Sequence, residues 1–273
     1  MTGKDPVAGD SRRETVKFLK PSLAQIKRWG QLNRGTVRRG EGLFLVEGFK
    51  VVEALLRSSW SVNAVLVMEE TKERWDSLLP LRRGAFGVYA IGRVAWKKLS
   101  QDRAPEGIMA VATLPPREEA VKFLESLSGN LLLLHELNNP NNLGAVMRTA
   151  HWFGFTGIIL SRNSVDFAHP KVVRASMGSL FDLSILADAD FEAILPRLKG
   201  RFRLIGSDVR TGSPPHRCEC PTALMLGSES HGLPKELTGL ADEIWRIPGS
   251  GRAESLSLPQ AAAILMYACT ATA

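Results

Sequence analysis

Three polar segments of the chain carry residue types able to grip a ligand or steer a proton. The first is Asn138-Asn139-Pro140-Asn141-Asn142-Leu143-Gly144-Ala145-Val146-Met147-Arg148. Asn142 can cap a helix through its side chain, and Arg148 follows six positions later. A guanidinium there is a fixed cation with five donors, suited to a phosphate or a developing oxyanion. The plainer alternative is a capped helix with a surface arginine. The second segment is Leu226-Gly227-Ser228-Glu229-Ser230-His231-Gly232-Leu233-Pro234. Gly227 and Gly232 permit close backbone approach to a ligand, or positive φ. Glu229 between them can accept hydrogen bonds, or simply be solvated in a strand-to-helix turn. The spacing is not that of a Gly-x-Ser-x-Gly nucleophile elbow. The third segment is Ile247-Pro248-Gly249-Ser250-Gly251-Arg252-Ala253-Glu254-Ser255-Leu256-Ser257-Leu258-Pro259. Its hydroxyls and amides can hold a small polar ligand. Alternatively it is a loop feeding a helix capped by Ser257, with Pro259 in the first turn. A further stretch over 169–179 reads as a short amphipathic helix with Lys171 and Arg174 solvated.

These segments need a scaffold. Leu131-Leu132-Leu133-Leu134 is apolar at every position, as in a central strand covered on both faces. A helix is predicted from about Asn142, with Leu143, Val146, Met147, Ala150 and Phe153 on one face. Gly154 ends it, before a strand over 156–160. Later strands are expected at 183–186, 202–206, 223–226 and 243–247, and a final helix at about 259–269. The three polar segments therefore begin where strands end, which is where open α/β sheets bind ligands. Upstream, strands at 43–46, 62–67, 86–91 and 108–113 alternate with helices at 23–32, 48–57, 69–78 and 94–99. That alternation predicts a second α/β block with a mostly parallel or mixed sheet. Leu114-Pro115-Pro116 interrupts the pattern. The expected organisation is a basic flexible tail at 1–20, one domain at 21–114, and another at 118–273 whose first helix opens on Glu118 and Glu119.

The 273 residues suit this division, at about 150 residues per domain. Lys and Arg number 35 against 28 acidic residues, a net charge of +7 that permits a polyanionic partner. Apolar residues make up 44% of the chain, too many for a disordered one. Three cysteines are too few for a disulfide framework and fit a reducing compartment. Residues 1–20 lack the apolar run of a secretory signal. The longest apolar stretch, 261–273, is short of the ~20 residues a membrane span needs. A cytoplasmic protein without membrane contact is expected. His216-x-Cys218-x-Cys220 lacks a zinc spacing, so no metal is expected and the loop should carry reduced thiols. For the tail, a solvated arm is the simpler reading, and contact with phosphates the alternative.

In order and spacing, the segments resemble the three signature motifs of the SpoU (TrmH-type) RNA ribose methyltransferases of the SPOUT superfamily. The stretch from Asn142 to Arg148 matches the first. Gly227-x-Glu229-x-x-Gly232-Leu233 matches the second. Ile247-Pro248, then Ser255-Leu256 and an alanine-rich helix, match the third. Val173-Arg174-Ala175-Ser176-x-Gly178 also looks like a shared segment. This resemblance covers roughly 131–273. Phe44-Leu45-Val46-Glu47-Gly48 and the helix after it resemble the ribosomal-protein-like substrate-binding domain that precedes many members' catalytic domains. Two positions depart from the pattern. Ser257 stands where the family usually has Asn, replacing an amide that donates and accepts with a shorter hydroxyl. Pro259-Gln260 also differs from the usual continuation.

The resemblance implies an N-terminal α/β substrate-binding domain and a C-terminal SPOUT α/β domain with a deep trefoil knot, which ordinary connection rules disfavour. It implies a homodimer. It also implies methyl transfer from S-adenosyl-L-methionine to a ribose 2′-hydroxyl of structured RNA, above all ribosomal RNA of the large subunit. A transfer RNA substrate, a base as acceptor, and a non-catalytic RNA-binding member are the alternatives. Such transfer needs in-line approach and a sink for the hydroxyl proton, but no metal. Arg148 takes the central role by this resemblance. A guanidinium is effectively always protonated, so stabilising an alkoxide or gripping a phosphate suits it better than general-base work. Asn142, Glu229 and Ser255 would position substrate and Arg148. The cofactor would lie against Leu226, Gly227, Ile247, Leu256 and Ser257. Lys27, Arg28, Arg34, Arg38 and Arg39, gathered around Trp29, form a candidate RNA-contacting surface together with Arg174; a solvated face is the alternative. Trp60, Trp75 and Trp96 read as half-buried core.

Overall fold

The structure is a computed structural model and describes residues 17–75, 78, 86–116 and 120–271. Its first sheet contains β1 (Phe18–Leu19), β2 (Leu43–Glu47), β3 (Val62–Met68), β4 (Gly87–Ile91) and β5 (Ile108–Thr113), in the order β1-β4-β3-β5-β2. Strands β1, β4 and β3 run parallel, and β5 runs antiparallel to both its neighbours. Side chains alternate between its faces. Leu43, Leu45, Leu66, Met109 and Val111 meet Trp29, Leu32, Trp96 and Leu99 from helices α1 (Leu23–Gln31) and α4 (Arg93–Leu99) and their ends. Phe44, Val46, Val65, Val67 and Ala110 face the other way, onto Val52, Leu55 and Leu56 of α3 (Phe49–Arg57). Between α1 and β2 lies α2 (Gly35–Glu41).

The second sheet is wholly parallel: β6 (Asn130–Leu134), β7 (Phe155–Ser161), β8 (Ser184–Ala189), β9 (Arg203–Ser207), β10 (Thr222–Leu226) and β11 (Glu243–Trp245). Its order is β11-β9-β10-β6-β7-β8. The chain moves outward from β6 to β8, crosses to β9, and returns to insert β10 between β9 and β6. Strand order thus reverses at the seam between β6 and β10, where a ligand crevice forms in open α/β sheets. Both strands are apolar and buried, because helices cover both faces. One face carries α5 (Ala120–Ser126) and α8 (Phe191–Leu198), with α9 (Lys235–Thr238) at its edge. The other carries α6 (Pro140–Trp152), α7 (Pro170–Ala175) and α10 (Leu258–Thr270).

That second face shares one core with the α3 side of the first sheet. The Trp60 ring lies 5.3 Å from Phe181 and 6.0 Å from Phe44, edge-on to both. Three ion pairs, made by two arginines, reinforce the junction, and each domain contributes one of the arginines. Arg38 donates through Nε and Nη2 to Oδ2 of Asp166 at 3.1 and 2.7 Å, and through Nη1 to the carbonyls of Leu32 and Asn33 at 3.0 and 3.1 Å. In return, Arg174 reaches Asp102 at 3.0 Å and Glu47 at 3.4 Å. Burial pushes the Glu47 carboxyl above its usual range, against the pull of Ser100, the Gln101 amide and Arg174.

Several expectations change. Phe18 and Leu19, assigned to the tail, pair with Val88 and Tyr89 as an edge strand. Residues 1–16 lie outside the described residues, as do Glu118 and Glu119. The segment Glu69–Trp75 is a 3₁₀ rather than an α-helix. Strand β11 stops at Trp245, so Arg246 and Ile247 already belong to the loop. Trp29 is buried and packs edge-on against Tyr89 at 5.2 Å, so it offers no face to a base. Arg38, expected on the RNA-facing surface, is only 2% exposed. Helix α2 turns it toward the domain junction, and all its nitrogens engage protein oxygens.

Candidate active site

Helix α6 begins at Pro140, two residues earlier than the spacing suggested. Asn139 is its cap, accepting from the amides of Asn141 and Asn142 at 3.0 and 3.4 Å, and Pro140 takes the first helical position. The signal was the Asn139-Pro140 pair, since proline lacks the amide that a first-turn residue leaves unpaired anyway. Capping by Asn139 frees the Asn142 side chain. Its Nδ2 donates to Oε1 of Glu229, 87 residues away on the turn after β10.

That turn is tightly built. Ser228 and Gly232 exchange backbone hydrogen bonds of 3.2 and 2.9 Å, and the Ser228 hydroxyl accepts from His231 N at 3.2 Å. A Cβ on Gly227 would fall 1.9 Å from the carbonyl carbon of Gly232, so the doubling-back admits no side chain there. The buried Leu226 ties the two strand ends together, its carbonyl accepting from His135 N at 2.9 Å. Gly144 plays a comparable part on α6. A Cβ would lie 2.5 Å from Cβ of Ala175 and 2.6 Å from the Val172 carbonyl, so α6 and α7 touch backbone to backbone.

Leu143, Val146, Met147 and Ala150 form the buried stripe of α6, as expected. Arg148 lies off that stripe, exposed, with no hydrogen bond or ion pair to any described residue. The third segment runs exposed through Ser255, Leu256 and Ser257. Leu256 shows 49% of its surface, and Ile247 packs against the core. From Ile247 to Ser257, no amide donates to a described residue. Ser257 occupies the cap position of α10, and Pro259 the first turn, but the serine side chain makes no capping bond. The three segments thus offer a carboxylate tethered by an amide, an exposed guanidinium with no bond to a described residue, and a run of free backbone donors. These groups can hold a small polar ligand and steady developing negative charge.

Of the residues singled out in the sequence, Asn142 and Glu229 are in contact, Leu226 and Gly227 floor the seam, and Arg148 and Ser255 stand free. Lys27, Arg28, Arg34 and Arg39 are exposed, although Arg28 pairs with Glu41 at 2.7 Å. Arg174 is partly covered and committed to Glu47 and Asp102. No motif flagged His135, whose ring packs edge-on against Phe191 at 5.8 Å just behind the crevice. Among the described residues, no three His, Cys, Asp or Glu side chains converge to hold a metal ion, and no helix is long and apolar enough to cross a membrane.

The family model for the SpoU rRNA methylases matches residues 129–267, just over half of the chain. The chain belongs to the SpoU rRNA methylase family. A second model, the MRM3-like substrate binding domain, matches residues 24–110 of this SpoU protein. Among its relatives is a 23S rRNA (guanosine(2553)-2′-O)-methyltransferase of Bacillus subtilis strain 168, 29% identical over 89% of this chain and 94% of that protein. Another is a 23S rRNA (uridine(2479)-2′-O)-methyltransferase of Streptomyces viridochromogenes, 27% identical over 94% of this chain and 92% of that protein. The SpoU methyltransferase AviRb from the same organism, solved in complex with AdoMet, superposes with a TM-score of 0.79 at 25% identity, covering 90% of this chain and 96% of that one. An AdoMet-bound rRNA methyltransferase from Sinorhizobium meliloti gives a TM-score of 0.77 at 25% identity, covering 92% and 96%. The mixed α/β architecture with an N-terminal substrate-binding domain is the one these structures share.

Proposed function

We infer that this SpoU protein is an S-adenosylmethionine-dependent RNA methyltransferase acting on a ribose 2′-hydroxyl of large-subunit ribosomal RNA. The observation that carries this reading is the contact between Asn142 and Glu229 across the β6–β10 seam. It joins the first and second motif segments at the strand-order reversal. The relatives named above, which methylate 23S rRNA at a 2′-oxygen, supply the substrate class.

The residues present fit the cofactor. Free amides over 247–257, the bare backbone of Gly227 and the exposed Leu256 offer donors, close approach and apolar cover. Leu226, Gly227, Ile247, Leu256 and Ser257 would hold it. When bound, S-adenosylmethionine supplies a methyl group made electrophilic by a sulfonium. Arg148 stabilises negative charge growing on the ribose oxygen, or grips the neighbouring phosphate. Asn142 keeps Glu229 from turning into solvent, and Glu229 with Ser255 orients the ribose. Lys27, Arg28, Arg34 and Arg39 supply phosphate contacts from the first domain. The C-terminal segment is read as a deep trefoil knot ending in α10, and the protein as cytoplasmic.

The test is transfer of labelled methyl to large-subunit RNA from cells lacking the modification. Label in one alkali-resistant dinucleotide is expected, since a 2′-O-methyl blocks the neighbouring phosphodiester from cleavage. Label in an alkali-labile product, or in transfer RNA alone, would refute the reading.

A homodimer belongs to the same reading. Trp152 is 84% exposed at the end of α6, beside Tyr267 and Ile264 of α10, at 61% and 41%. The Phe153 and Tyr267 rings, 6.1 Å apart, join the two helices into one apolar face. Trp152→Glu is expected to convert dimer to monomer in sedimentation equilibrium. An unchanged mass would exclude this face as the interface.

A further inference from the structure

Two of the three cysteines meet, although they are distant in sequence. Cys218 lies in the loop between β9 and β10, and Cys269 lies in the last turn of α10. The amide of Cys218 donates to the carbonyl of Cys269 at 3.0 Å. That bond puts the two backbones in contact, which is compatible with the ~4.4–6.8 Å between α-carbons that a disulfide spans. The Cys218 thiol itself donates to the carbonyl of His216 at 3.9 Å, and the two thiols are near enough that each shifts the other's titration. Cys218 is partly exposed, whereas Cys269 is 1% exposed within the core.

The surroundings divide the chemistry between them. The neighbouring Cys269 thiol is the main influence that lowers the Cys218 thiol to about 6, helped by the Thr222 hydroxyl and by the charges of His216 and Arg203, against the opposing effect of burial. The Cys218 sulfur, and then burial, push Cys269 upward. One sulfur is therefore an accessible nucleophile and the other a protonated partner behind it. Cys220, two residues along, is exposed.

We propose that Cys218 and Cys269 are a reversible thiol pair that closes to a disulfide, stapling the end of α10 to the β9–β10 loop. The oxidant is a small-molecule disulfide of the glutathione class. The Cys218 thiolate attacks one sulfur of that disulfide and expels a thiolate, leaving a mixed disulfide on Cys218. Cys269 gives its proton to the expelled thiolate and attacks the Cys218 sulfur, releasing the second small thiol. Two protein thiols and one small disulfide become one protein disulfide and two small thiols. The closed loop holds β10, β11 and both later polar segments, so oxidation constrains the part of the chain that carries Glu229 and Ser255.

The test uses the full chain treated with glutathione disulfide, then N-ethylmaleimide, digestion and mass spectrometry. The expected product is a peptide joining Cys218 to Cys269, two hydrogens lighter than the separate thiols, with Cys220 alkylated. Dithiothreitol should restore both thiols, and the oxidised protein should melt roughly 4–10 °C higher. In Cys269→Ala, glutathione should instead persist on Cys218, because the resolving thiol is gone. Alkylation of all three cysteines, a link from Cys218 to Cys220, or a lasting glutathione adduct in the unaltered protein would overturn the proposal.

Discussion

Replacing Arg148 with alanine is expected to lower methyl transfer at least ~10²–10³-fold, the usual loss when a donor to developing negative charge is removed. Thermal stability should barely change. The side chain is exposed and bonds to no described residue, so truncation leaves no buried partner stranded. Binding of S-adenosylmethionine, measured by titration calorimetry, should also survive, because the residues assigned to it lie on the second and third segments. Arg148→Lys separates charge from shape. Lysine keeps the cation but not the planar fork, so an intermediate rate favours electrostatic stabilisation, and a rate as low as alanine's favours two-point recognition. Turnover near that of the unaltered protein would remove Arg148 from the mechanism.

The second large effect is structural. Arg38→Met removes a guanidinium whose side chain is 2% exposed, and leaves Asp166 and the carbonyls of Leu32 and Asn33 without their donors. Removing one partner from a buried pair costs about 3–5 kcal/mol. The Asp166 side chain retains 23% exposure, which places this case toward the lower end. At ~2 °C per kcal/mol for a chain of this length, Tm should fall by roughly 6 °C in calorimetry. Arg39 next to it is exposed, and Arg39→Ala should leave Tm where it is. Equal melting of the Arg38 and Arg39 variants would show that the junction does not depend on this ion pair.

The contrast between these neighbouring arginines shows where reading a sequence stops. Leu131 to Leu134 announced a central strand, because cover on both faces demands apolar residues at every position. Apart from β1, which was read as tail, the strands of both sheets appeared within a few residues of their observed ends for the same local reason. Helix α2 did not, since it has two glycines and no side-chain cap, and its anchor is a carboxylate 128 residues away. Charge spacing alone cannot separate an arginine bound to Asp166 from one facing water. The site was legible as three motifs, but not as geometry. Asn142 was read as the cap, a role that Asn139 takes, and its contact with Glu229 depends on which strands become neighbours, something that periodicity does not encode.

The late return of β10 also governs how the molecule is made. Until residues 222–226 leave the ribosome, β6 has a partner on only one side and β9 has none. A nascent chain therefore carries an open, strongly apolar strand edge, the kind of surface that pairs wrongly with other chains. The same late segment delivers Glu229, Ser255 and the helix that closes over α6. Closing the edge and assembling the crevice are thus one event in biosynthesis, and a product that ends early is left both sticky and catalytically empty.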